Sequence, residues 1–150
     1  MTVLVLLHVL AAIVWVGGMF FAHQMLRPSA APLDPPVRLA LWRRVFNRFF
    51  PWVWVCVAVL LTTGLVMIVV GFGGFDMAGV YITTMMSIGI VMMLLFGHLY
   101  FAPWRRFQRA LDAGDLPAAG RNLDQIRRIV TINLVLGLVT AAVGASGRYW

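Results

Sequence analysis

Few side chains in this sequence can do chemistry. There are three histidines, one cysteine and nine methionines. The five acidic residues are all aspartates, namely Asp34, Asp76, Asp112, Asp115 and Asp124. No general acid/base pair, nucleophile constellation or phosphate-cradling loop is visible, so hydrolytic or group-transfer chemistry is not expected. What remains is imidazole and thioether, which suit a haem iron or a soft metal such as Cu(I). His8 and His23 stand near opposite ends of the run Val3 to Leu26 (VLVLLHVLAAIVWVGGMFFAHQML), which holds no Asp, Glu, Lys or Arg. His98 stands near the end of a later apolar run. An ionisable side chain inside a membrane span is a functional candidate by default. The plain alternative for each histidine is a bond to a neighbouring hydroxyl or carbonyl, or, for His23 near the interface, a ring reaching toward water.

Helical geometry sorts these residues by depth and face. His8 lies about 9 Å from the centre of its span and His98 about 10 Å from the centre of its own, on the other side, so the two are about 20 Å apart along the membrane normal. They cannot share one iron unless the later helix tilts strongly or shifts. His23 and His98 share one leaflet and form a candidate inner site for haem b or a divalent metal. Met85 and Met86 share the depth of His8 and form with it a candidate outer site for Cu(I) or a His/Met haem. On the first helix His8, Ala12, Trp15, Met19 and Leu26 share a stripe, and Trp15 is placed to flank a cofactor or simply to pack. On the third, Thr84, Ser87, Val91, Leu94 and His98 share another. Asn133, Gly137, Thr140 and Gly144 make a small, mildly polar face on the fourth, and Cys56 and Thr63 share a side of the second. These faces are expected to meet in the interior, because helix interfaces in lipid favour small and hydrogen-bonding residues.

The elements that carry these residues are four apolar helices. Of the 150 residues 62% are hydrophobic and 11% charged, against roughly 45–50% and ~25% for a soluble domain. A chain this short cannot bury that much apolar surface, so much of it must face lipid. The expected spans are residues 2–26, 52–70, 80–102 and 129–146 of one domain, 1–150, each long enough for about 30 Å of hydrocarbon. Arg27-Pro28 should stop the first helix. Asp34 before Pro35-Pro36 should cap an amphipathic stretch over 37–50 that places Leu39, Trp42, Phe46 and Phe49 on one face. That stretch reads as an interfacial helix, with Pro51 as the bend into the second span. Asp115 with Pro117 should cap a helix running from Leu116 to about Ser146, whose Asp124 can pair with Arg121, Arg127 or Arg128.

The net charge of +7 comes from arginine alone and is concentrated in two loops. Arg27, Arg38, Arg43, Arg44 and Arg48 lie between the first two spans, and Arg105, Arg106, Arg109, Arg121, Arg127 and Arg128 between the last two. The positive-inside rule then puts both termini outside and the basic loops in the cytoplasm of a bacterial inner-membrane protein. The arginines read as orientation signals and phospholipid contacts rather than as a nucleic-acid surface. Trp42, Trp52, Tyr100 and Trp104 should form a cytoplasmic aromatic belt, and Tyr81, Tyr149 and Trp150 an outer one. A basic leader is missing and the first run is long, so it reads as a retained span. The lone Cys56 excludes an internal disulfide and reads as a small buried hydrophobe.

Leu7-His8-Val9 followed by Val14-Trp15-Val16-Gly17-Gly18-Met19 resembles the first-helix pattern of the CopD-like and HemJ-like bacterial membrane proteins. Gly97-His98-Leu99-Tyr100 before Trp104-Arg105-Arg106 is similar to the end of the corresponding HemJ helix, and Arg127-Arg128-Ile129-Val130-Thr131-Ile132-Asn133 to the CopD-type ending. The resemblance implies a four-helix membrane domain. On the HemJ side it implies haem b and an oxidoreductase of the protoporphyrinogen-oxidase type, and on the CopD side copper handling across the inner membrane. It carries over to His8, Trp15 and His98. Where HemJ proteins have His-x-Lys at the start of the third helix, this chain reads Tyr81-Ile82-Thr83-Thr84-Met85-Met86, which leans toward copper or another axial ligand.

The expected fold is therefore all-α: an integral-membrane four-helix bundle with cytoplasmic helical extensions and an interfacial amphipathic helix. The leading functional expectation is haem b held by His8, His23 and His98 for electron transfer between a membrane carrier, or a porphyrin, and a small donor. The second is copper binding or transport through His8, Met85, Met86 and Cys56. The third is a cofactor-free subunit or homo-oligomer joined through the face of Gly137, Thr140 and Gly144.

Overall fold

Four long helices account for almost all of the chain in the computed structural model, which describes residues 1–149. Trp150, expected in the outer aromatic belt, lies outside the described residues, as does the side chain of Arg148. The helices are α1 (Thr2–Ala30), α2 (Pro35–Gly71), α3 (Val80–Asp112) and α4 (Leu116–Ser146), each long and apolar enough to cross a membrane. Closest packing joins α1 to α2 and α3 to α4, and α1 also touches α4. Large rings close the remaining side: Phe50 and Trp54 of α2 meet Phe96 and Tyr100 of α3 edge to face.

Local chemistry explains the ends. Asp115 accepts the Ala118 N–H at 2.9 Å and starts α4 as expected. Asp34 occupies the same position before α2, but its side chain makes no capping bond. Gly114, at φ +71°, ends α3. The N–H of Asp115 returns to the Ala110 carbonyl and that of Gly114 to Leu111, a closure that needs a left-handed residue.

The prolines do less than the sequence suggests. Arg27-Pro28 does not stop α1. The helix widens into a π turn over Ala22–Leu26 and runs one turn further to Ala30. Of the two further π turns, Met67–Gly71 has no proline and Tyr100–Trp104 contains Pro103. A wider turn beside a proline accommodates the ring and the missing amide hydrogen. Pro51 lies within an unbroken helix, Pro35–Val66. The stretch over 37–50 is therefore amphipathic and helical but not a separate surface helix. It is the basic extension of α2, and it buries Leu39, Trp42, Phe46 and Phe50.

That burial creates the densest part of the molecule. Phe46 and Phe50 stack at 4.9 Å, and Trp104 stands edge-on to both at 5.7 and 5.2 Å. Phe107, Leu123 and Ile126 close this core from the extensions of α3 and α4. Trp42 and Trp104 are thus core residues rather than members of an interfacial belt, whereas Trp52 is exposed and Tyr100 half-buried. Elsewhere α1 leaves a large share of its apolar side chains exposed, among them Val3, Leu6 and Ile13, as a lipid-facing helix does.

Candidate functional site

His8 reaches from α1 to α2, where its Nδ1 lies 2.8 Å from Thr63 Oγ1. Thr63 is buried, and its hydroxyl also lies 2.6 Å from the Val59 carbonyl one turn back. A hydroxyl has one hydrogen, and a carbonyl can only accept it. Thr63 therefore donates to Val59 and accepts from His8 Nδ1–H. A neutral ring that donates from Nδ1 carries its lone pair on Nε2, the form in which imidazole binds metals. Gly64 lies beside the ring. A Cβ there would stand 3.4 Å from His8 Cε1, an ordinary contact. Cys56 is buried on the same side of α2, two turns or about 10 Å from Thr63.

The other expected donors sit on α3. Met85 packs against Gly144 of α4, where a Cβ would meet its Sδ at 3.2 Å. Met86 is half-buried on the same helix. Trp15 is buried, and its nearest ring is Phe96, edge to face at 6.2 Å.

The stripe Thr84, Ser87, Val91, Leu94 and His98 does not line the interior. Ser87, Val91, Leu94 and His98 are exposed, and α3 turns Met92, Phe96 and Leu99 inward instead. The hydroxyls of Thr84 and Ser87 donate to their own helix at Val80 O and Thr83 O, so they need no partner inside the bundle. Bulky apolar groups win the interior because close packing is what holds helices together in lipid. The α4 stripe does face inward. Asn133 is buried and donates to the Met92 carbonyl at 3.1 Å, and Gly137 lies against Val16 and Met92. That face is used within the chain, which removes it as the seam of a homo-oligomer.

His23 sits in the π turn of α1 beside a small cavity of about 20 Å³, lined by Arg27, Trp42, Phe46, Arg127 and others. That is room for about one water. His98 is not among its lining residues. A haem between His23 and His98 does not fit this arrangement. One ring is exposed on α3, the other faces a water-sized space, and Trp15, Phe50 and Phe96 fill the ground between the helices. Among the described residues no three of His, Cys and Asp converge on a common metal position.

Sequence reasoning missed three buried nitrogens on residues that border the His23 cavity. His23 Nδ1, Trp42 Nε1 and Arg127 Nε are all buried without a hydrogen-bond partner. Unmade bonds of this kind cost about 1–3 kcal/mol each. The arginine-rich extensions were the available signal, but nothing in the sequence says which arginine folds inward.

The sequence matches the family described as CopD, copper resistance protein D, over residues 43–146. The match starts inside α2 and spans α3 and all of α4. No curated protein and no solved structure matches the chain. The matched segment is more than half of the 150 residues and coincides with three of the four helices, so the chain belongs to the copper resistance protein D family.

Proposed function

We propose that this membrane protein takes Cu(I) as its cargo and that His8 Nε2 receives it within the bilayer. One observation carries the reading: the bond from His8 to Thr63, with Thr63 spent on Val59, leaves a neutral imidazole with its lone pair free inside an apolar helix. The same bond to a hydroxyl is the plain packing arrangement of a histidine, and it is also the partner that orients a metal-binding imidazole. The copper resistance family supports the same choice of metal. The other soft donors of the kind Cu(I) prefers are Met85 and Met86 on α3 and Cys56 on α2. The surroundings of His23 and His98 do not fit haem.

The arginine-rich ends of the helices face the cytoplasm in this proposal, with both termini outside the inner membrane. The test is anaerobic Cu(I) titration of the full chain in detergent against bathocuproine disulfonate. Wild type should bind in competition with the chelator, and His8→Ala should lose at least about tenfold in affinity. Equal affinity for the two proteins would overturn the assignment.

A further inference from the structure

One stripe of α3 faces outward from the bundle. We propose that it is the seam of a parallel dimer of this chain, in which His98 bonds to the partner's His98. The inference stands apart from His8 and from the copper reading.

Ser87, Val91, Leu94, His98 and Phe101 are all exposed. They follow one another at steps of four, three, four and three residues, the 3.5-residue repeat of two helices that wind round each other. Met92, Phe96 and Leu99, on the other side of α3, are buried in the bundle. Nothing lies within 4 Å of a Cβ added at Gly97, so the backbone beside His98 is open to another helix.

The other lipid-facing sides are different. α1 exposes Val9, Ile13 and Phe20, and α4 exposes Ile132, Val135 and Val139, all of them apolar. Among the described residues of the four spans, His98 is the one exposed ionisable side chain. It stands seven residues, or about 10 Å, before Arg105, the first arginine of the basic extension. No described residue hydrogen-bonds to it. An imidazole in hydrocarbon is costly unless it finds a partner at its own depth.

A second copy supplies that partner. Copies of one chain enter the bilayer in one orientation and to one depth. A two-fold axis along the membrane normal sets α3 beside the same helix of the partner, running the same way, with each seam residue opposite its counterpart. The stripe suits such self-pairing. A neutral imidazole carries one donor and one acceptor nitrogen, so two of them bond N–H to N with no third group. Val91, Leu94 and Phe101 meet their own kind as apolar packing. A lone polar residue in an apolar seam is also what fixes register and the number of helices. Arg105, the next step of the repeat, has its guanidinium 5.2 Å over the Phe101 ring. It stands at the height of the headgroup phosphates, which offset the two like charges.

Crosslinking of the full chain in liposomes locates the contact. In a Cys56→Ser background one cysteine is placed at Val91 or Leu94 of the seam, at Ile13 of α1, or at Val135 of α4, and disulfides are formed with diamide. Val91→Cys and Leu94→Cys should form a covalent dimer several times faster than Ile13→Cys and Val135→Cys. Sedimentation equilibrium in detergent measures the dimer affinity. His98→Leu should weaken it by about three- to tenfold, the range for one interhelical hydrogen bond in a membrane protein. His98→Gln, whose amide also donates and accepts, should stay within twofold of wild type. These side chains are exposed in the single chain, so their replacement leaves its core intact, and unfolding midpoints check this.

Faster crosslinking at the seam together with the loss in His98→Leu upholds the proposal. Equal crosslinking at all four positions, or none at any, overturns the seam. A chain that sediments as a monomer at every protein-to-detergent ratio overturns it too, and leaves the stripe to a different membrane protein. Full affinity in His98→Leu, or equal loss in His98→Leu and His98→Gln, overturns the imidazole pair.

Discussion

Replacing Thr63 by valine separates the orientation of His8 from its mere presence. Valine keeps the branched shape of threonine in a position that is 4% exposed, so packing changes little. What disappears is the oxygen 2.8 Å from His8 Nδ1. The Val59 carbonyl, the other partner of that hydroxyl, retains the capacity to accept its helix N–H. An interhelical hydrogen bond in a membrane protein is worth about 0.6 kcal/mol, and at most ~1.7. Thr63→Val should therefore unfold only slightly earlier than wild type. Cu(I) affinity should respond more strongly. With Nδ1 no longer held as a donor, the ring can rotate and take the other tautomer, and losing such an orienting partner costs about 10–100-fold in metal affinity. On the free-energy scale that is about 1.4–2.8 kcal/mol. The assay is chelator competition under anaerobic conditions, run beside thermal unfolding on the same preparations. Thr63→Ser, which restores the hydroxyl, should recover most of the affinity. Wild-type affinity in Thr63→Val together with loss in His8→Ala would refute the tautomer argument. Wild-type affinity in both would remove His8 from copper binding altogether.

Gly137→Ala should destabilise the protein by about 1–3 kcal/mol through overpacking, because its Cβ would stand 2.7 Å from Val16 Cγ2 and 3.2 Å from Met92 Cε. Gly89→Ala meets nothing within 4 Å and should be neutral or stabilising by up to about 1 kcal/mol; the unfolding midpoints of the two variants in one detergent test the contrast. Protein purified from cells supplied with a haem precursor should show no Soret band, and a band that vanishes in His98→Ala would contradict the fit argued from the filled interior. Alkaline phosphatase fused after residue 75 should be active and after residue 114 inactive, whereas the reverse pattern would invert the proposed orientation.

The sequence carried the architecture on its own. Four apolar lengths, two arginine-rich connections and the Asp115 cap are written in composition and order, and they hold in the structure. They are legible because the bilayer imposes a length and an apolarity that few other environments demand. The small face of α4 was legible as well, since glycines at one helical spacing serve close approach.

Which way each helix turns was decided only by the assembled bundle. In water, the polar side of a helix reports its exposed face. In lipid, apolar groups lie both inside and outside, and a serine or threonine satisfied by its own backbone fits either. The Ser87–His98 stripe was therefore expected inward but faces out. The same ambiguity hid the continuity of α2 through Pro51, because a proline breaks a helix only where neighbouring elements do not hold it. Pairings between distant residues, His8 with Thr63 or Arg127 with Trp42, arise from how helices far apart in sequence come to lie side by side. The types and depths of these residues follow from the order of the chain, but their partners are fixed by close packing between helices, which no single helix encodes.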